Sequence, residues 1–338
     1  MKNTEVWNIS EKDFPENGDL KDILRFISRY AILAPSGHNT QPWKIRINDD
    51  SLELIADFTR SLPVIDPLNR QLITSVGASA GNIFTALNYF GFNYNFEYIN
   101  KSNDNFAVLI IPIKGRIKNQ KDKNLFLALT KRRTNRNPFE EKLIDGLIIQ
   151  SFQTIVSEEK IKLSVMEGEY REKLISIIEE GDKLQSSNQK FCKELSEWVH
   201  PERSDSKDGI PGYAFGQNDV ITTSGPFYIG NLDWGKIQAG RDRNLIKGSP
   251  LIVILESRNN EPEDWFKTGI ALERLLLCAA SENISASYLN QPLEIPELNQ
   301  RVKSELNIKG FPQQILRMGY GKPVKPTPRR NLEEILLK

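Results

Sequence analysis

Ala34-Pro35-Ser36-Gly37-His38-Asn39-Thr40-Gln41-Pro42-Trp43 is the stretch on which the reading of the fold turns. It joins a helical pattern to a strand pattern and packs small, amide and hydroxyl side chains into one loop. Upstream, Leu20, Ile23, Leu24, Ile27, Tyr30 and Ala31 recur at helical spacing, and Asp19 is placed to cap them. Pro35-Ser36-Gly37 stops that helix, and Trp43–Ile47 reads as a strand. A loop of this chemistry can offer backbone N–H groups and amides to a planar, acceptor-rich heterocycle. Equally, it can be a capped connection in which Trp43 fills the core.

Outward from this loop, Asn48-Asp49-Asp50 turns the chain into a strand over residues 52–58. A long apolar helix over 72–90 follows and ends at Gly91, and 106–113 reads as a buried strand. The same alphabet then restarts. Helices are expected at 125–131 and 143–156, a strand at 160–166, and a buried strand at 251–255. A second long apolar helix at 265–281 precedes strands at 284–289 and 314–318. Gly77-Ala78-Ser79-Ala80-Gly81 can be laid without a gap on Gly269-Ile270-Ala271-Leu272-Glu273. The order of elements supports an internal duplication; a chance likeness of amphipathic helices is the alternative.

Residues 168–247 have no counterpart in the first half. They hold two charged helical patterns, of which the acidic run 167–184 reads as a solvated face, and then a polar loop over 200–218. A loop of that length inside a compact protein reads as a lid. Tyr213, Phe215, Phe227, Tyr228 and Trp234 argue against plain disorder.

Composition removes whole classes. Lys+Arg 45 against Asp+Glu 44 leaves a net charge of +1 over 338 residues, with no global excess to attract nucleic acid. Cys192 and Cys278 are the only cysteines, which predicts neither a disulfide framework nor a zinc site. With no apolar run of spanning length, the expectation is a soluble, cytoplasmic protein without membrane association. His38 and His200, the only histidines, make neither a metal site nor an acid–base dyad. No GxGxxG or P-loop pattern is present.

Two further segments carry chemistry. Lys131-Arg132-Arg133-Thr134-Asn135-Arg136 gathers four cations, a hydroxyl and an amide after a helical pattern. Arginine forks suit phosphate oxygens; a solvated basic helix end is the competing reading. Lys325-Pro326-Thr327-Pro328-Arg329-Arg330 is a proline-stiffened arm that delivers two arginines to a defined place, or serves as an ordinary strap.

Taken together, the Pro-Ser-x-x-Asn-x-Gln-Pro-Trp loop, the Arg-Arg-Thr-x-Arg segment and the Pro-Arg-Arg arm resemble the FMN-dependent nitroreductase family. Asp66-Pro67-x-x-Arg70 and Asn290-Gln291-Pro292 resemble its fused-domain, Acg-like branch. The resemblance implies an α+β, nitroreductase-like fold of two tandem half-domains forming a pseudo-dimer, with mixed sheets flanked by helices. The halves would be 1–118 and 119–338, with the lid-like insertion 168–247 in the second. It implies that Arg132, Arg133, Thr134, Arg136 and Arg330 hold the FMN phosphate and ribityl chain, with Arg329 a weaker candidate. Pro35, Ser36, Gly37, Asn39 and Gln41 would line the ring, and His38 would touch it by lying in the same loop. Backbone at Asn290 and Gln291 would approach the ring's reactive edge.

Each motif occurs once, so the halves assemble one complete FMN site. Ser157-Glu158-Glu159-Lys160 stands where a second ring loop would fall. The implied activity is NAD(P)H-dependent reduction of a nitroaromatic, quinone or similar small-molecule acceptor, without a catalytic side chain. The alternative is a protein that sequesters FMN beneath its lid. Internal duplication allows a monomer and does not forbid a homodimer.

Overall fold

Asp19 begins the first helix as expected, its carboxylate accepting from Asp22 N at 2.9 Å, and α1 runs Leu20–Ala31. The computed structural model describes residues 3–115, 117, 120–201, 204–215 and 235–338. In the first half α1 is followed by β1 (Trp43–Ile47), β2 (Leu52–Ala56), α2 (Arg70–Tyr89), β3 (Phe92–Lys101) and β4 (Phe106–Lys114). After α3 (Gln120–Leu129) comes α4 (Gly146–Ser157), capped by Asp145, and β5 (Lys162–Val165). The insertion contributes α5 (Gly168–Ser187), α6 (Gln189–Trp198), the two-residue strands β6 (Val199–His200) and β7 (Ile210–Pro211), and α7 (Gly235–Lys247). The chain finishes with β8 (Leu251–Ser257), α8 (Pro262–Ser281), β9 (Ile284–Tyr288), α9 (Pro296–Glu305) and β10 (Phe311–Tyr320).

The two sheets repeat one topology. The first has the order β1-β2-β4-β3 and the second β5-β8-β10-β9, and every pairing within both is antiparallel. Helices α1 and α2 occupy the same places in chain order as α4 and α8. The expected mixed sheets are thus corrected. Hairpins join β1 to β2 and β3 to β4, and a hairpin reverses direction by construction. Parallel pairing is confined, among the described residues, to β6 with β7 and to the single bridges Ile45–Leu336 and Thr134–Ala286.

Helices α2 and α8 pack where the aligned glycines meet. A Cβ on Gly77 would stand 2.1 Å from Phe266 O, and one on Gly269 would stand 2.0 Å from Thr74 O. Only hydrogen at these positions lets the backbones touch. One continuous core runs through both sheets from this crossing, and includes Trp43, Phe84, Phe266 and Leu316. A second core seats α5, α7 and α9 on sheet residues Ile252, Ile254 and Ile315.

Helix α5 overturns the reading of 167–184 as a solvated face. Leu174, Ile178, Gly181, Asp182 and Gln185 are buried along one stripe, and only the opposite side meets water. The charge count masked an apolar stripe at helical period. Phe227, Tyr228 and Trp234, read above as part of a lid, lie outside the described residues, as does the Phe215 side chain. Among the described residues no helix is long and apolar enough to cross a membrane.

Candidate functional site

Between the halves lies a cavity of about 700 Å³. The first half lines it with the 35–39 loop and α2, and the second with the 132–136 segment, the end of β9 and the arm. The insertion supplies a wall from α5, α6 and α7.

The loop is held in a costly shape. His38, Asn39 and Gln41 have φ of 47°, 58° and 53°. Left-handed backbone at non-glycine residues costs about 1–3 kcal/mol each and persists only where surrounding contacts over-determine it. Those contacts come from three parts of the chain. Ser36 Oγ accepts from Gln41 N at 2.9 Å within the loop. Asn39 Nδ2 donates to Gly209 O at 2.9 Å and Pro328 O at 3.1 Å, and Gln41 Nε2 to Lys207 O at 2.8 Å. In return, Arg329 donates to Asn39 Oδ1 at 2.7 Å and Arg330 N to Gln41 Oε1 at 2.7 Å. The ring loop, the insertion and the arm are one knot. Arg60 tightens it by pairing with Asp208.

At the cationic end, Arg133 lies 3.8 Å and Arg329 5.0 Å from the centre of the Trp7 ring. Trp7 Nε1 donates to Thr327 O at 2.9 Å, which fixes that ring against the arm. Arg132 is buried, with its Nε 3.3 Å from Glu273 of α8 and a hydrogen bond to Leu33 O at 3.2 Å. Burial, reinforced by Arg132 and Arg133, pushes Arg329 down to about 9. Burial, then Arg132, pushes Arg133 down to about 10. Burial alone lifts the Glu273 carboxyl to about 7 against the pull of Arg132 and Arg329. Burial also depresses His38 to about 4, with Arg136 adding to it, so the imidazole is neutral at pH 7. Crowded, desolvated guanidinium groups of this kind favour negative charge beside them.

Most predicted side chains converge here. Pro35, Ser36, Gly37, His38 and Asn39 line the cavity, as do Arg132, Arg133, Thr134, Arg136 and Arg329, and so do Asn290 and Gln291. Gln41 and Arg330 do not. Gln41 is fully buried in the knot, and Arg330 spends its guanidinium on Gln41 O at 3.3 Å and Glu334 O at 3.0 Å. The two arm arginines therefore exchange roles: Arg329 faces the cavity and Arg330 anchors the strap. Asn290 contributes mainly through its backbone, because its side chain is engaged by Gln314 Oε1 at 2.7 Å and Ile315 N at 2.9 Å. Asp66 and Arg70 are structural: Asp66 accepts from Leu72 N at 2.9 Å, and Arg70 donates to Gln313 O at 2.6 Å.

Sequence reasoning missed Trp7, Tyr288 and the polar face of α2, which presents Gln71, Thr74 and Ser75 to the cavity. That face carried a signal, since Gln71, Thr74 and Ser75 stand at i, i+3 and i+4 and so share one side of the helix. Trp7 carried none. Several buried atoms of cavity-lining residues have no hydrogen-bond partner among the described residues, including Tyr288 Oη, His38 Nδ1 and Arg329 Nε.

No family model matches the chain. Among curated proteins it is 25% identical over 321 residues to "Putative NAD(P)H nitroreductase Rv3131" of Mycobacterium tuberculosis, covering 93% of this chain and 91% of the relative. It is 24% identical over 330 residues to "Putative NAD(P)H nitroreductase acg" of the same organism, covering 95% and 97%. Among solved structures, the FMN-dependent nitroreductase NfnB of Mycobacterium smegmatis in complex with NADPH matches 64% of this chain and 96% of its own. Its TM-score is 0.40 at 16% identity. Over 93% of its length, the chain is thus a relative of mycobacterial proteins named as NAD(P)H nitroreductases.

Proposed function

We propose that this protein is an FMN-dependent oxidoreductase of nitroreductase type, with NAD(P)H as donor and a small nitroaromatic, quinone or similar acceptor as substrate. The observation that carries the reading is the cavity between the halves, with desolvated arginines at one end and amide-rich loop backbone beside it. FMN is a planar, acceptor-rich ring joined to a phosphate, and the residues present fit both parts. About 700 Å³ lies within the range of small-molecule sites. The partnerless Arg329 Nε, Tyr288 Oη and His38 Nδ1 are buried polar atoms that a bound ligand can satisfy.

In this reading the division into halves at 118/119 separates ring binding from phosphate binding. Arg133, Arg136 and Arg329 hold the phosphate. Arg132 orients the segment by its pairing with Glu273. The 36–39 loop and the backbone of Asn290 and Gln291 position the ring. Bound there, FMN would supply two-electron transfer between nicotinamide and acceptor. The α2 face and the insertion wall exclude water from it.

Flavin retention tests the site. Arg133→Ala combined with Arg136→Ala should yield protein that purifies without flavin; full occupancy in that variant would overturn the assignment. Anaerobic mixing of flavin-loaded protein with NADH or NADPH tests the activity. Rapid bleaching of flavin absorbance is expected. The insertion wall favours a second reading, sequestration of FMN, and bleaching by dithionite alone would establish it.

A further inference from the structure

The insertion wall carries two carboxyl groups that flavin binding does not use. Asp182 of α5 and Asp242 of α7 line the cavity and are 2% and 6% exposed. Gln291, which opens the short helical turn after β9, lies between them. Its Nε2 donates to Asp182 Oδ1 at 3.0 Å and to Asp242 Oδ2 at 2.8 Å. Gln238 Nε2 donates to Asp242 Oδ1 at 3.1 Å. Three of the four carboxyl oxygens therefore accept a hydrogen bond, and the fourth, Asp182 Oδ2, meets no donor among the described residues.

Two buried carboxylates bridged by one amide cannot both ionise without a large penalty. The surrounding charges decide which keeps the proton. Burial raises the Asp242 carboxyl as well, but Gln238, Arg241 of its own helix and Arg317 of β10 all pull the other way, toward its ionised form. Asp182 faces Asp242, Glu179 of its own helix and Glu294 of the turn after β9, all of which oppose ionisation. Burial first, and Asp242 second, push Asp182 up to about 8. The oxygen that lacks a donor is thus the one where a proton relieves the charge conflict without displacing a hydrogen bond.

We propose that Asp182, backed by Asp242 and Gln291, donates a proton to the electron acceptor reduced in this cavity. This rests on the reading of the cavity as a flavin-dependent reductase site. A quinone acceptor gains a hydride equivalent, two electrons and one proton that originate in a nicotinamide. It gains one further proton from Asp182. The Asp182 O–H bond breaks, an O–H bond forms on the quinone oxygen, and the hydroquinone leaves. The carboxylate then recovers its proton from water. Asp242 touches no substrate in this scheme; its charge keeps the proton on its neighbour, which makes it a positioning residue.

The first test needs no turnover. Infrared titration of the purified protein should show, beside the carboxyls of Glu273 and Glu294 that titrate near 7, a protonated-carboxyl component that persists to about pH 8 and is lost in Asp182→Asn. A spectrum unchanged by that substitution overturns the proposal. The second test uses stopped flow on flavin-loaded protein. Asp182→Asn should slow quinone reduction roughly 10²-fold, in the range of general acid catalysis, while flavin content and nicotinamide-driven reduction stay unchanged. Asp242→Asn should move the alkaline limb of the pH profile to lower pH, which a purely structural role would not do. Normal flavin reduction with quinone reduction indifferent to Asp182→Asn overturns the donor alone. Failure of either nicotinamide to reduce the flavin overturns the reductase reading and the donor together.

Discussion

In the first half, β1 passes to β2 through residues 48–51; in the second, the topologically equivalent β5 passes to β8 through residues 166–250. Both connections leave identical sheet orders behind them, so the sheet tolerates either. What differs is the surface gained. The short turn adds nothing beyond itself to the first half, whereas the long excursion builds a second core and one wall of the cavity. Two sheets of one topology thus enclose an asymmetric cavity because one of their connections is long.

The strongest way to break this comparison is to make the halves alike. Replacing residues 166–250 with a four-residue turn removes α5 and α7 from Ile252, Ile254 and Ile315 and exposes an apolar sheet face. We expect loss of cooperative thermal unfolding, and a shortened protein that melts like wild type would show that the insertion is an appendage. Next in size is Arg132→Ala, which leaves Glu273 buried beside no arginine of its own segment. Breaking a buried pair costs about 3–5 kcal/mol, to be read from denaturant midpoints. Gly77→Ala and Gly269→Ala probe the crossing that both halves share. Overpacking there should cost about 1–3 kcal/mol each. Gly81→Ala, whose Cβ would meet the Glu273 Cβ at 3.2 Å instead of a backbone oxygen at about 2 Å, should cost less by the same measurement.

The smallest effect near neutrality concerns His38, which only the first half possesses. Burial lowers its pKa to about 4 in the fold, from an ordinary 6.5. The unfolded chain therefore binds a proton first as pH falls. The resulting stability is present above pH 6.5 and is lost as pH drops from there toward 4. His38→Asn, which tolerates left-handed backbone, should flatten that acid limb in melts at successive pH values. An unchanged acid limb would place the imidazole in water.

Much of the fold was legible because periodicity is local. Leu20 to Ala31 repeats at helical spacing, and the Gly77–Gly269 alignment fell on the true crossing because close helix contact demands glycine in both copies. Strand β3 was not identified, although Phe92, Tyr94, Phe96 and Tyr98 alternate with polar residues; the signal was present and went unused. The site was legible only as segments. Proline stiffness announced that the arm delivers an arginine, yet a shift of one residue decides whether Arg329 or Arg330 faces inward. That register is set by Gln41, nearly 290 residues away in sequence, through bonds no local pattern encodes. Asp182 was hidden for a related reason. In a run of Glu and Lys a buried carboxylate has the same letters as a solvated one, and only the partner helix distinguishes them.

The knot at Asn39 and Gln41 has a bearing on how the molecule is made. Its strained backbone is secured by Lys207 and Gly209 and by Pro328, Arg329 and Arg330. During synthesis, α1, β1 and α2 emerge with the loop already in place but with none of those partners yet translated. The loop takes its final shape only when the arm reaches it, beside the bridge from Leu336 to Ile45. Ligand binding in this cavity is therefore a late event, and a nascent chain lacking its last dozen residues can hold most of its core while having no finished site to fill.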